Sequence, residues 1–321
     1  MRFVYYLLPR IAIAAITLLG VSLLIFVAMR FVPGGFADMV LGPLGTPEQK
    51  AIVRARYGLD QPIAVQYVRW LSLALTGDFG MSLVTHASIA AEIGRRAPTT
   101  LQLAAMSGIM ALGIGVPLGI ASALTGARRR ARTAGRLVGA LGAGIPDFVL
   151  GTVLVFVFTA WSLGLTVGGF EPLLVDPWAN LRAMTLPAVT LGVFGVALVL
   201  RTTRDAVLNV MTEAHITAAV ARGETTWEIV RHHVLRNAAL PVVTVFVVYV
   251  GYFVGGAVIA ERLFSIPGVG HYLLQAINTR DYGVVQAAAL LAAAVFIGLN
   301  TLADVLYAIL DPRIGTRRGS G

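Results

Sequence analysis

The sequence predicts an all-α integral membrane protein with six transmembrane helices and both termini on the cytoplasmic side. Three observations carry that prediction. Of 321 residues, 57% are hydrophobic and 13% charged, with a mean hydropathy of +0.80, which is the composition of a membrane chain rather than of a soluble domain. Uncharged runs recur at lengths able to cross a hydrocarbon core of about 30 Å. Basic residues gather at the ends of those runs, numbering two, five, five and three in the inner segments against one and two in the short outer loops, which is the positive-inside bias. The net charge of +9 therefore reads as topology and not as affinity for nucleic acid.

Composition also narrows the chemistry. With no cysteine in the chain, disulfides, thiolate nucleophiles and cysteine metal sites are excluded. The single lysine, Lys50, stands between Gln49 and Ala51, so the chain has no G-x-x-x-x-G-K-[ST] loop to cradle ATP phosphates. His232 and His233 are adjacent and His215 has no second histidine four residues on, so the spacing of a zinc-dependent enzyme is missing as well. No catalytic, cofactor or metal site is expected in this chain.

Taken in order, residues 1–30 hold the N-terminus and the first span, Ile11 to Met29, 19 residues without a charge. The run is too long for a signal core and lacks a small-residue cleavage site before Arg30. Residues 31–98 form an extracytoplasmic segment. Its basic residues do not oppose that placement, because loops beyond about 60 residues translocate largely regardless of charge. Tyr67 and Trp70 within it suit packing at the membrane interface, with a lid as the alternative.

Residues 99–313 make the membrane core. The uncharged stretch from Ala97 to Ala127 holds span two, and the five arginines from Arg128 to Arg136 fix the next loop inside. Span three, about Leu137 to Leu163, contains Pro146 and Asp147. An ionisable residue within the membrane is by default a pathway candidate, and the alternative for Asp147 is an interfacial acid reaching Arg132 or Arg136. Span four covers about Ala183 to Leu200, ended by Arg201 and Arg204. Span five runs from about Leu240 to Ala260, followed by Glu261 and Arg262, which read as a rim pair. Span six covers about Tyr282 to Tyr307. Its Asn300 and Asp304 share one helix face and either line a path or bond to a neighbouring helix. Residues 314–321 are a basic tail.

Between spans four and five lies the most informative stretch, 205–238. Glu213 to Arg222 is rich in alanine and should be helical, and Gly223 ends such a helix at little cost because it adopts positive φ. Thr225 with Glu228 three residues on is a capping box that restarts a helix, which Pro241 then limits or kinks. A loop of this size buries no core of its own. A thin helix bearing Ala214, Ala218, Ala219 and Ala221, followed by a stripe of Trp227, Val230 and Val234, suits docking in a partner's groove.

These residues resemble a known signature. Glu213-Ala214, Gly223 and the run Leu235-Arg236-Asn237-Ala238-Ala239-Leu240-Pro241 are similar to the "EAA" motif of ABC-importer permeases, in the form carried by the dipeptide/oligopeptide subfamily. Further matches lie at Gly58-Leu59-Asp60-Gln61-Pro62, Gln66-Tyr67-Val68-Arg69-Trp70-Leu71, Gly77-Asp78-Phe79-Gly80-Met81-Ser82, Ser265-Ile266-Pro267-Gly268-Val269-Gly270, Arg280-Asp281-Tyr282 and Asp311-Pro312-Arg313. Two departures stand out. The family's extra basic residue is missing from Thr217 to Val220, and Gly283 replaces a proline.

The resemblance implies a type I ABC-importer permease fold in the plasma (inner) membrane. It implies a heterodimer with a second homologous permease, two ATPase subunits that carry ATP and Mg, and an extracytoplasmic solute-binding protein. The implied cargo is di- or oligopeptides, with glutathione or a nickel complex as alternatives. Glu213, Ala214, Ala218, Gly223, Trp227 and Arg231 are the implied ATPase-coupling residues. An autonomous secondary transporter or channel is the competing class, and it would show internal repeats and more embedded charge.

Overall fold

A computed structural model describes residues 2–31, 41, 45–56, 58–124, 142, 144–161, 163–165 and 167–310. Apart from an isolated bridge between Met81 and Ser88, the regular structure of these residues is helical. In chain order the helices are α1 (Arg2–Arg30), α2 (Pro47–Arg56), α3 (Ile63–Leu75), α4 (Ile89–Leu124), α5 (Asp147–Trp161), α6 (Pro177–Met211), α7 (Ala214–Ala221), α8 (Thr226–Ile229), α9 (Leu235–Leu263), α10 (Val269–Thr279) and α11 (Tyr282–Leu310). A π-helical turn, Val230–Val234, joins α8 to α9.

Helices α1, α4, α6 and α11 are long and apolar enough to cross a membrane, and the bent pair 226–234 with 237–251 makes a fifth if it is counted as one span. Of the third expected span, the described part is α5, an apolar helix of 15 residues. The arginine-rich loop and the basic tail lie outside the described residues.

Several boundaries differ from expectation. Helix α6 starts at Pro177, not Ala183, because the Asp176 carboxylate accepts from the amides of Trp178 and Ala179 and Pro177 opens the first turn. It also runs past Arg204 to Met211, so the stretch expected to begin a polar loop at Asp205 is still helix. Helix α4 starts at Ile89 and takes in Glu92, Arg95 and Arg96, with both arginines paired to Glu92 from the next turn. Pro241 neither ends nor starts a helix but lies inside α9. The bend falls earlier, 59° between 226–234 and 237–251, directly after the π turn, whose i→i+5 pattern interrupts the α-helical ladder.

The described chain forms two compact units. In the first (residues 3–98 and 267–301), α3 packs on the Arg30 end of α1. The Phe26 ring meets Tyr67 at 5.4 Å and Trp70 at 5.6 Å, and the hydroxyls of Ser22 and Tyr67 are 2.8 Å apart. A separate cluster joins Ile89 and Ile93 of α4, Tyr272 and Ala276 of α10, and Val284 and Ala287 of α11. A buried hydrogen bond fixes it: Ser82 Oγ donates to Asp281 Oδ2 at 2.6 Å. Gly283 sits where a Cβ would lie 3.0 Å from Ile89 Cδ1.

The second unit (residues 99–266 and 302–321) is organised around α6. Within its span window 72% of residues are buried, against 33% for α4, so α6 is the central helix and α4, α5 and α9 surround it. Leu103, Met184, Leu191, Phe253 and Phe264 form one cluster of this core; Ala111, Val199, Val242 and Tyr249 form another.

Candidate functional site

The stretch between α6 and α9 folds as an elbow. Glu213 is the extended residue before α7, and its carboxylate lies 3.1 Å from His215 Nδ1. Helix α7 is held down by Ile216 and Ala219, both buried with Val207 and Val210 of α6, Ile229 and Val234. Its other side, with Ala214, Ala218 and Ala221, is exposed. These positions are four and three residues apart and so form one ridge, whose short side chains let a partner approach the backbone.

The turn after α7 is a Schellman motif. Gly223 has φ +86°, its amide donates to Val220 O, and the Glu224 amide donates to Ala219 O. The expected capping box follows: the Glu228 amide donates to Thr225 Oγ1, while the Glu228 carboxylate accepts from the Thr225 amide at 2.7 Å.

One expectation fails here. Trp227, Val230 and Val234 do not form a common docking stripe. Trp227 is 69% exposed, but Val230 and Val234 are buried in the chain's own core. The spacing i, i+3, i+7 presumes an unbroken α-helix, and the π turn at 230–234 puts more residues into each turn. Of that trio, only Trp227 is left for a partner, alongside the exposed Arg231.

A polar clasp closes the inside of the elbow. Arg222 donates to Glu224 Oε1 at 2.6 Å, and Glu224 Oε2 lies 3.0 Å from His233 Nε2, across the break from the π turn. The rings of His215 and His233 are 5.6 Å apart. The hydrogen bond from Arg222, then that from His233, holds the Glu224 carboxyl below the ordinary glutamate range. Because the folded value is depressed, this contribution is present above the ordinary glutamate pKa and is lost as pH falls through the lowered one. The clasp is therefore intact at neutral pH. Nothing in the sequence points to it, since nine residues and a reversal of direction separate its two ends.

The comparisons with known proteins bear on this geometry. The description "binding-protein-dependent transport system inner membrane component" matches residues 115–316, and its N-terminal counterpart matches residues 3–104. The chain belongs to this family. It is similar to a glutathione transport system permease of Salmonella paratyphi A, 36% identical over 310 residues that cover 96% of this chain and 98% of the relative. A probable peptide ABC transporter permease of Sinorhizobium fredii is 32% identical over 311 residues, and a putative peptide transport system permease of Brucella abortus is 33% identical over 311, each with the same coverage. The protein is thus an ABC-importer permease of the inner membrane, a transport component and not an enzyme, of a family whose members work with ATPase and binding-protein partners.

In the permease, the pathway candidates lie on α5 and α11. Asp147 is the first residue of α5 and is 8% exposed. Its expected alternative partners, Arg132 and Arg136, lie outside the described residues. Asn300 spends its amide on its own helix, donating to Phe296 O at 2.8 Å, and Asp304 follows one turn later on α11.

Glu261 corrects a further expectation, for it is not part of a rim pair. Its side chain is wholly buried and accepts from Thr100 Oγ1 at 2.6 Å, while Arg262 is exposed. Close packing of α9 against α4 draws the carboxylate inward and leaves the arginine outside. Removing it breaks a hydrogen bond to a buried carboxylate, a bond worth about 1.5–3 kcal/mol. Glu261→Ala should therefore lower the melting temperature of the purified permease, and Glu261→Gln, which keeps an acceptor, should lower it less.

Proposed function

We propose that this permease is one half of a heterodimeric pathway through which an ATP-binding-cassette importer moves di- or oligopeptides into the cell. It crosses the membrane six times with both termini in the cytoplasm, residues 31–98 lie mainly outside, and the elbow at 205–238 faces inward. The elbow is the lever. Glu213, with Ala214 and Ala218 of α7 and with Trp227 and Arg231 beyond the turn, engages an ATPase groove, and Gly223 sets the angle between the two arms. The observation that carries this reading is the alanine ridge of α7, anchored from behind by Ile216 and Ala219 and left exposed by the rest of the described chain.

ATP and Mg bind to the two partner ATPases. Their closure shifts the permease between inward- and outward-open states only through contacts that differ between those states, and the elbow supplies such contacts. A solute-binding protein delivers cargo at the outer mouth. Asp147 and the Asn300–Asp304 face are the polar positions assigned to the path.

Glutathione is the second reading for cargo, favoured by the relative named for glutathione transport. Both readings are separated by reconstituting the permease with its sister subunit, ATPases and binding protein in liposomes. Uptake of a labelled dipeptide that requires ATP and binding protein, and that excess glutathione fails to compete, is the expected result. Competition by glutathione reassigns the cargo. Uphill uptake by the isolated chain without nucleotide overturns the proposal in favour of an autonomous transporter.

A further inference from the structure

Helix α3 leaves an apolar flank that no described part of the chain covers. None of its residues is buried. Its inner side, with Tyr67 and Trp70, rests on Phe26 of α1. On the adjoining flank Ala64, Val68, Leu71 and Leu75 recur at i, i+4, i+7 and i+11, with Val68 64% and Leu75 78% exposed, while Arg69 and Ser72, three residues apart, share another face. A water-facing helix rarely shows such an exposed apolar row.

Depth decides what covers it. Arg30 ends α1, and its guanidinium lies over the Phe26 ring at 4.8 Å. Along a helix rising about 1.5 Å per residue, Phe26 sits about 6 Å and Ser22 about 12 Å below that arginine. Tyr67 reaches down to Ser22, with the hydroxyls 2.8 Å apart, and 3.4 Å from Leu19 O. The neighbouring surface of α1 is itself aliphatic, with Leu23 and Leu24 exposed. The body of α3 therefore lies level with the hydrocarbon-facing part of a spanning helix. A helix meets the conditions of that environment, because its interior backbone groups are bonded within the segment.

We propose that α3 is embedded in the leaflet at the Arg30 end of α1, with Val68 and Leu75 in contact with phospholipid acyl chains and Arg69 turned toward the headgroups. The segment between the first two spans is thereby tied to the bilayer and is not a free subdomain. This is the mode of an amphipathic helix that lies along the membrane interface with its apolar face among the acyl chains. That the leaflet is the outer one rests on the topology proposed above, whereas the embedding itself does not.

The absence of cysteine makes the test direct. Val68→Cys and Leu75→Cys, with Arg69→Cys as the polar-side reference, are labelled with bimane in the assembled importer built from cysteine-free partners, in nanodiscs. Brominated acyl chains should quench most of the fluorescence at positions 68 and 75, and aqueous iodide should quench position 69 alone. Iodide quenching at 68 and 75 equal to that at 69 overturns the proposal in favour of a water-facing helix. Protection from both quenchers also overturns it, and shows a protein partner on that face. Either failure leaves the elbow reading intact, because ATP hydrolysis by the labelled complexes is scored separately.

Discussion

A Gly223→Val permease is expected to insert and to assemble with its partners, yet to lose at least about tenfold of its substrate-stimulated ATP hydrolysis. The residue has φ +86°, and a Cβ built there meets nothing within 4 Å, so the loss is conformational and not a matter of space. Holding a non-glycine residue in such backbone costs about 1–3 kcal/mol, and a β-branched residue is among the least tolerant. The elbow escapes that strain by moving φ to negative values. Doing so breaks the bonds from the amides of Gly223 and Glu224 to Val220 and Ala219 and swings α7 away from α8. Each 1.4 kcal/mol of lost coupling corresponds to about tenfold. Gly223→Asn, which tolerates positive φ, should keep most of the stimulation. Normal coupling in the valine variant would refute the lever assignment, while loss of partner co-purification would move the defect to assembly.

Gly119→Leu should do something different and more severe: the permease should fail to accumulate as a folded, assembled subunit. Here the obstacle is space. A Cβ at Gly119 would stand 2.6 Å from Thr203 Cβ and 2.8 Å from Leu200 O, and one at Gly115 would stand 2.9 Å from Val199 and 3.0 Å from Val196 O. The two glycines, four residues apart on α4, let it approach the backbone of α6 in the small-xxx-small manner of membrane helices. Overpacking usually costs about 1–3 kcal/mol; with backbone carbonyls in the way, and α6 at the centre of its unit, the cost lies at or beyond the upper end of that range. Gly113→Leu is the control, for nothing lies within 4 Å of its Cβ. The measurement is the yield of partner-bound permease after extraction in detergent, with wild-type yield expected for Gly113→Leu.

These two glycine sites differ in how far the sequence announces them. Gly223 follows an alanine-rich helix and precedes a capping box, so its role as a helix stop is local and readable from adjacent residues. Gly115 and Gly119 sit in an apolar run where any small residue looks alike. Their importance comes from which helix lies opposite, and no local pattern encodes that. Val230 and Val234 show the same limit from the other direction. Their spacing suggested a surface stripe, but the π turn altered the periodicity and the core of α6 and α7 claimed them.

Glu261 and Arg262 show how adjacent charges mislead. Neighbours in sequence, they point to opposite environments on α9, and the acid is bonded to Thr100, 161 residues away in the chain. Asp281 with Ser82 is a second such pair, 199 residues apart. Both segments carry residues that resemble the family's motifs, yet the resemblance does not say which residue meets which.

By itself, the sequence determined that this protein lives in a membrane, that its regular structure is helical, that it carries no P-loop of its own, and that a helix–glycine–helix elbow interrupts its spans. All of these follow from composition and from interactions within a few residues, which a chain specifies wherever it folds. The tertiary structure alone decided that α6 is the central helix, that the bend precedes Pro241, that Glu224 clasps His233 and that α3 rests on α1. Each of those depends on side chains distant in sequence competing for the same buried space, and only packing in three dimensions settles that competition.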